Sequence, residues 1–354
     1  MTKMVRMVSL LLIVFFTLAV FGGCGSQAPA KTETPASETS SKADTAASKS
    51  PDKAAEPADD KLVIGCAMQG NQSTFIQYIA AGMWKYQKEN APNVTLDVVF
   101  ADDDAAKQVS QIETFIAKKV GAIVINPVDK VQSAAAVDAA AEVGIPVITV
   151  NTISDSKNVT AHVGSDDVEA GKLQMQRLID VCGKDANVAY VNAVLGHSAQ
   201  VFREIGYKEI LDANPTVKLA AVDTANWSAE EALKLVENWL QSGKQIDAIA
   251  CQADCQLLGV ITAVENAGMI GKIKLSGMDC VNEVMDAIED GRVDSSIWQD
   301  GVGQGEHSIR LAIDAANGKA IEDYMIPYEV CTKDNIEKYR KLAAERDALA
   351  KEYF

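Results

Sequence analysis

The chain is short of positive charge and of histidine. Its 354 residues include 33 Lys and Arg against 49 Asp and Glu, for a formal net charge of −16, and only three His. An acidic chain of this kind repels nucleic acid and anionic membrane surfaces, so neither is expected as a ligand. The sequence also lacks a nucleophile elbow and a His-Glu-x-x-His motif. No catalytic set is evident, and we expect a protein that is not an enzyme.

The cysteines form neither a zinc motif nor a clear disulfide framework. Apart from Cys24, most of them lie in or beside apolar runs, where cysteine serves as a small buried hydrophobe. These six are Cys66, Cys182, Cys251, Cys255, Cys280 and Cys331. Free buried thiols are favoured, with disulfides as the open alternative. Asp102, Asp103 and Asp104 precede a predicted helix, where Asp is a common N-cap rather than a metal ligand. No metal or cofactor is expected.

The first residues have the pattern of an export signal. Lys3 and Arg6 precede an uncharged apolar run from Met7 to Phe21, and Gly22 and Gly23 stand directly before Cys24. This order resembles the bacterial lipoprotein signal, which implies a signal peptide over 1–23 and lipidation of Cys24. The alternative is a transmembrane helix, although the run is short for a span. The protein is therefore expected outside the cytoplasm, held to the membrane only by its lipid anchor.

Residues 24–60 predict a disordered tether, because Ala, Ser, Thr, Pro and charged residues leave almost no apolar surface to bury. The remainder, roughly 290 residues, is more than one ordinary core holds and suits two domains. From Lys61 onward, short apolar strands alternate with amphipathic helices, a pattern typical of parallel βαβ units. The predicted strands are 62–68, 94–100, 121–125 and 145–150, and the helices are 73–90, 105–119 and 131–143.

The same alternation restarts after Asp166. The second set of predicted strands is 188–191, 217–222, 246–251 and 273–277, with helices at 168–181, 200–211, 229–240 and 257–267. Two doubly wound α/β lobes in series follow from this pattern. In such sheets a ligand binds outside the carboxyl ends of the strands, so the polar residues that close each strand are the candidate site.

The side chains at these strand ends are chemically suited to a sugar. Amides and carboxylates pair with hydroxyls as donors or acceptors, and aromatic rings pack against the apolar faces of a pyranose. Phe75 and Trp227 are candidates for two such rings, one from each lobe. The alternatives are equally open: Phe75 as a hydrophobic staple at a helix start, and Trp227 as a core residue above the Ser228 cap.

Several stretches resemble one known family. They are Ala122-Ile-Val-Ile-Asn-Pro-Val-Asp129, Ile145-Pro-Val-Ile-Thr-Val-Asn151, Gly196-His-Ser-Ala199, Asp223-Thr-Ala-Asn-Trp227, Gly277-Met-Asp279 and Ile326-Pro-Tyr328. From Lys61 to about Tyr339 the chain resembles the periplasmic sugar-binding proteins of the ribose and galactose/glucose type. The resemblance implies the type I periplasmic binding fold, with two lobes joined by three hinge crossings near 163–166, 299–301 and 327–329.

The resemblance also implies boundaries, partners and site residues. The N-terminal lobe is expected over 61–164 plus 301–327 and the C-terminal lobe over 165–300 plus 328–354. A monomer is expected to bind a sugar or polyol and to deliver it to an ABC transporter permease; the alternative is a receptor that presents its ligand to a membrane sensor kinase. The implied ligand-binding residues are Ser73, Phe75, Asn126, Asn151, His197, Arg203, Trp227, Asp254, Asp279 and Gln299.

Three positions depart from the galactose/glucose branch. Ser73 and Ala199 stand where that branch has Asp, and Ala253 stands where it has Asn. A buried sugar hydroxyl without its partner costs ~1–3 kcal/mol. D-glucose and D-galactose are therefore expected to bind poorly, and pentoses, deoxy sugars and cyclitols better.

Overall fold

The structure is a computed structural model that describes residues 61–354. The predicted signal peptide over 1–23, the lipidation site Cys24 and the tether over 24–60 lie outside the described residues. Within residues 61–354 there is no helix with the length and apolar character to cross a membrane. The six cysteines of this part are free thiols, as the sequence favoured, but the expected burial is wrong for Cys255, which is exposed, and only partial for Cys182.

The first half of the described chain alternates strands and helices. Its elements are β1 (Val63–Met68), α1 (Thr74–Asn90), β2 (Thr95–Phe100), α2 (Ala105–Lys118), β3 (Ala122–Ile125), α3 (Gln132–Glu142), β4 (Val147–Val150) and β5 (Ala161–Gly164). Asp104 is the N-cap of α2, where its carboxylate accepts hydrogen bonds from the amides of Ala106 and Lys107 at 2.8 and 3.0 Å. The N-cap interpretation of this acidic run is confirmed.

The second half repeats the alternation and then returns to the first sheet. Its elements are α4 (Asp167–Cys182), β6 (Asn187–Asn192), α5 (Ser198–Ala213), β7 (Lys218–Thr224), α6 (Ala229–Gln241), β8 (Ala248–Cys251), α7 (Asp254–Asn266), β9 (Lys274–Met278), α8 (Asn282–Glu289), β10 (Ser295–Trp298), α9 (Gly301–Ala316), β11 (Tyr324–Met325), β12 (Glu329–Thr332) and α10 (Ile336–Tyr353).

These strands form two six-stranded sheets. Their orders are β11-β5-β4-β3-β1-β2 and β12-β10-β9-β8-β6-β7. All pairings are parallel except that of β12, which runs antiparallel to β10. In both sheets the order reverses beside the first strand, between β1 and β3 and between β6 and β8. These are the switch points at which doubly wound sheets bind ligands.

The predicted fold class is confirmed: two doubly wound lobes joined by three crossings. The chain leaves the first sheet after β5, returns between β10 and α9, and leaves again between β11 and β12. Hydrogen bonds tie these segments together. The amide of Gln304 donates to Ser165 Oγ at 3.3 Å, and the Ile326 N–H donates to the Gly164 carbonyl at 2.8 Å.

Glycine allows helix pairs in both lobes to approach closely. Where α1 meets α9, a Cβ on Gly305 would lie 1.9 Å from the Ile79 carbonyl oxygen, and one on Gly82 would lie 2.1 Å from that of Val302. Where α4 meets α5, Gly171 and Gly206 face main-chain oxygens at 2.2 Å in the same way. Any side chain at these positions would push the helices apart.

Gly305→Ala is expected to lower the melting temperature by roughly 4–8 °C. The overpacking costs ~3 kcal/mol, and the better helix propensity of alanine returns at most ~1 kcal/mol. Calorimetry measures the change. Asp314→Ala on the same helix is the control, because it removes only a surface ion pair with Lys319 worth ~1 kcal/mol or less. Equal melting temperatures for both variants would contradict the close approach.

Candidate functional site

Two predicted residues meet at the edge of the second sheet. His197 precedes α5 as its N-cap and its Nδ1 accepts a hydrogen bond from the Ala199 amide at 3.3 Å. Its ring meets the ring of Trp227 edge-on, with centroids 5.6 Å apart. Burial and the nearby Arg203 charge lower the pKa of His197, which favours a neutral imidazole. Trp227 is half-buried in a left-handed backbone conformation, with φ of 61°. Its ring is therefore only partly covered by protein.

Arg203 lies in a buried charged network beside this pair. Its side chain is 5% exposed and its Nε donates to Asp167 Oδ1 at 2.9 Å. Tyr328 donates its hydroxyl to the same oxygen at 2.7 Å. Burial disfavours the Arg203 charge, but Asp167, Tyr328 and Asp279 together outweigh burial and hold the pKa of Arg203 above its usual value. Arg203 thus joins the start of α4 to the crossing segment before β12.

Asn126 and Asp254 are both fully buried with internal partners. The Asn126 amide donates to the Val150 carbonyl at 3.1 Å and to Thr152 Oγ1 at 2.8 Å. The Asp254 carboxylate accepts from the Ser296 hydroxyl at 3.0 Å and from the Val281 N–H at 3.0 Å, and burial raises the pKa of Asp254 well above its usual value. These contacts favour shaping of the loops over direct contact with a ligand.

Asn151, Asp279 and Gln299 have side chains with no hydrogen-bond partner among residues 61–354. Each follows a strand: Asn151 closes β4, Asp279 closes β9 and Gln299 closes β10. Burial raises the pKa of Asp279 to about 7, while the charges of Arg203 and Arg346 oppose that rise. Gln299 is buried, and Asn151 and Asp279 are partly buried. Unpaired polar groups in such positions need an external partner, so these three are the best candidates for ligand contact.

Ser73 and Phe75 lie at the start of α1. Ser73 is exposed and occupies the N-cap position without a side-chain hydrogen bond. Phe75 is half-buried against the crossing into α9, where a Cβ on Gly301 would lie 3.2 Å from its ring. No ring contact joins Phe75 to Trp227 in the described part of the chain. A ligand between them is compatible with this arrangement, and their roles stay predictions.

A cavity of about 160 Å³ opens between loops of the two lobes. It is lined by residues 127–130 and 152–153 on one side and 194–198 on the other, so His197 is its only predicted site residue. Within residues 61–354 no cluster of His, Cys, Asp or Glu could hold a metal ion.

The sequence did not predict the contribution of α10. Arg346 on this helix is 4% exposed and donates to the carbonyl of Asp279 at 3.0 Å. Helix α10 is strongly polar, and nothing in its periodicity indicates that one arginine reaches a strand end of the second sheet. The rings of Tyr78 and Trp298 flank this arginine, and neither residue was among the predicted site residues.

A family profile described as a periplasmic binding protein domain matches residues 64–320. The chain belongs to the periplasmic binding protein family. It is 31% identical over 271 residues to a xylitol-binding protein of Mycolicibacterium smegmatis, covering 75% of this chain and 76% of that protein. It is 28% identical over 282 residues to the ribose import binding protein of Bacillus subtilis, covering 78% and 90%.

Solved structures agree with this assignment. An ABC transporter solute-binding protein from Bacillus halodurans with bound myo-inositol superposes with a TM-score of 0.77 at 33% identity, covering 81% of this chain and 99% of that one. A periplasmic solute-binding protein from Actinobacillus succinogenes with bound D-allose gives 0.73 at 28% identity, covering 79% and 100%. These periplasmic binding proteins are transport proteins rather than enzymes.

Proposed function

We propose that this protein is an extracytoplasmic solute-binding lipoprotein that captures a sugar or polyol between its lobes and delivers it to an ABC import permease. The observation that carries the proposal is the set of unpaired polar side chains at strand ends, namely Asn151, Asp279 and Gln299. Amide and carboxylate groups with no protein partner match a ligand rich in hydroxyls. The names of the transport relatives favour import over presentation to a sensor kinase.

The proposed site has two layers. Groups with free atoms contact the ligand: Ser73, Phe75, Asn151, His197, Trp227, Asp279 and Gln299. Behind them, Asn126, Arg203 and Asp254 hold the loops in place through their own hydrogen bonds. The lobes that close on the ligand are proposed as 61–164 plus 301–327 and 165–300 plus 328–354. The proposed ligand contacts lie at or near the ends of strands and helices.

Thermal shift against a panel of compounds tests this function. The panel is myo-inositol, xylitol, D-ribose, D-allose, D-glucose and D-galactose. A ligand at 100-fold its dissociation constant adds ~2.7 kcal/mol of stability, which a melting curve resolves readily. At least one cyclitol or pentose-sized compound is expected to raise the melting temperature, and D-glucose and D-galactose are not. The absence of a shift with every sugar and polyol would refute the proposal.

The lipid anchor has a separate test. Cys24→Ala removes the thiol that would carry the lipid, so the protein is expected to move from the membrane fraction to the soluble fraction. Fractionation followed by immunoblotting measures the change, and Cys66→Ala is the control because that thiol is buried within β1. A Cys24→Ala variant that stays in the membrane without cleavage would indicate a transmembrane helix instead.

A further inference from the structure

Arg346 occupies an unusual position for an arginine. It lies in the middle of α10, beyond residue 320 where the family profile ends. Its guanidinium carbon is 4.2 Å from the ring centre of Tyr78 on α1 and 5.0 Å from that of Trp298 on β10. The first ring belongs to the lobe of the first sheet and the second to the lobe of the second. Burial of an arginine is costly unless its N–H groups form hydrogen bonds. The hydrogen-bond partners of Arg346 therefore indicate what its position achieves.

Each hydrogen bond of Arg346 fixes a specific group. Nη1 donates to the Asp279 carbonyl at 3.0 Å and Nη2 donates to the Cys280 carbonyl at 3.3 Å. Nε donates to Asp347 Oδ1 at 3.1 Å. Asp347 is itself held by the hydroxyl of Tyr78 at 2.8 Å and by the amide of Asn282 at 2.7 Å. The guanidinium is thus fixed in place, and its two terminal nitrogens donate to the carbonyls of the consecutive residues Asp279 and Cys280.

The turn at Asp279 and Cys280, to which Arg346 is bound, has a strained backbone. Asp279 and Cys280 have φ of 105° and 50°, a left-handed conformation that costs ~1–3 kcal/mol for each residue other than glycine. Core groups bind the amides of this turn: Asp279 N–H donates to the Ile297 carbonyl at 2.8 Å, and Cys280 N–H donates to Ser296 Oγ at 3.1 Å. The carbonyl side is bound by Arg346. Release of the arginine would leave the turn held on one side only.

We propose that Arg346 is a positioning residue for the site: it locks the strained turn at Asp279 so that the unpaired carboxylate points at the ligand. The proposal rests on the proposed function in one respect, namely that Asp279 faces the ligand. Helix α10 thereby contributes to binding without touching the ligand, and it does so while contacting both lobes.

The charged groups around the turn make the pKa of Asp279 depend on Arg346. The groups that face Asp279 are Arg203 on α5, Arg346 on α10, Asp167 on α4 and Asp254 on α7. Tyr78 and Cys255 also interact with its charge. Burial and Asp167 raise the pKa of Asp279, and the two arginines lower it. Loss of the Arg346 charge therefore raises the pKa of Asp279 further.

The first test needs no ligand. Carboxyl carbon NMR titration measures the pKa of Asp279, with Asp279→Asn to assign its signal. Arg346→Met keeps the aliphatic stem but removes the charge, and it is expected to raise the Asp279 pKa above that of the wild type. Arg346→Lys keeps the charge and is expected to leave it nearly unchanged. Arg340→Met is the matched control, since Arg340 lies on the same helix but pairs with Asp286 and Glu289 on α8.

Hydrogen exchange of the peptide that contains 279–281 tests the positioning itself. A lysine cannot hold both carbonyls as a planar fork does, so Arg346→Lys is expected to speed exchange there by tenfold or more, a factor equal to one lost charged hydrogen bond. Arg340→Met should leave this exchange at the wild-type rate. If Arg346→Met does not fold, Arg346→Lys alone decides the question, because wild-type exchange in that variant would overturn the proposal.

Binding of myo-inositol as the probe completes the test. Affinity is expected to fall at least tenfold in both Arg346 variants and to stay constant in Arg340→Met. Unchanged affinity in a folded Arg346 variant, or an unchanged Asp279 pKa in Arg346→Met, would overturn the proposal. If the wild type binds neither myo-inositol nor any other compound of the panel, the proposed function fails, and the titration and exchange measurements still decide the role of Arg346.

Discussion

Trp227→Ala is expected to weaken ligand binding by roughly 30- to 1,000-fold, which corresponds to ~2–4 kcal/mol. The side chain is half-buried and stands just after a strand end of the second sheet, and its one ring–ring contact within residues 61–354 is the edge contact with His197. Removal of the indole takes away a rigid plate on which a sugar ring would stack. Calorimetric titration with whichever compound of the panel binds measures the loss.

The conservative variant distinguishes stacking from structural packing. Trp227→Phe keeps an aromatic plate and is expected to retain most of the affinity. If Trp227 is instead a core residue, Trp227→Ala would lower stability by ~3–5 kcal/mol and leave the affinity of the folded fraction intact. Unaltered binding by a folded Trp227→Ala variant would show that the ligand lies elsewhere.

The order of the regular elements was largely predictable, because both sheets depend on apolar strands that are distinct from their neighbours. β3 and β4 are buried at every position, and uninterrupted apolar runs of this kind are recognisable without a structure. The strands β5 and β10–β12 and the helices α8–α10 were not predicted from periodicity. β10 begins with Ser295 and Ser296, and β11 is only two residues long, so neither has a strong strand pattern.

The strand-end positions of these candidate residues were predictable, but the directions of their side chains were not. Parallel topology places Asn126, Asn151, Asp254, Asp279 and Gln299 at strand ends, yet a shift of one residue decides whether a side chain enters the cleft or the core. Asn126 and Asp254 turn inward to partners such as Thr152 and Ser296. The contribution of Arg346 depends on how α10 packs across two lobes, which is a tertiary property that no local pattern records.

Buried polar contacts link the crossings to one another. Asp167, just after the first crossing, is paired with Arg203 and with Tyr328 at the third. Gln304, just after the second crossing, donates its side-chain amide to Ser165 at the first. The side-chain oxygen Oε1 of Gln304 has no hydrogen-bond partner among the described residues. Because a buried ion pair is costly to break, relative motion of the lobes is expected to pivot around the Arg203 network rather than disrupt it.

Asp279→Asn is expected to stabilise the protein and to impair binding. The folded-state pKa of Asp279 is raised from 3.8 to about 7. A raised pKa means that the contribution of this group to stability is complete below pH ~4 and is lost as the pH rises through about 7. Three pKa units correspond to ~4 kcal/mol at most at pH 8. Arg203 and Arg346 lose their counter-charge in the variant, so we expect a net gain of ~1–3 kcal/mol.

Melting curves at pH 5 and pH 8 separate this effect from others. The wild type is expected to be less stable at pH 8 than at pH 5, because Asp279 ionises between these pH values. Asp279→Asn should lose less stability over the same range, so the difference in stability in favour of the variant grows with pH. Titration of the same variant should show at least a tenfold loss of affinity, because an amide replaces a charge-assisted acceptor of sugar hydroxyls. A variant less stable than the wild type at pH 8 would show that the carboxylate is satisfied within the fold, and the assignment of Asp279 to the ligand would then fail.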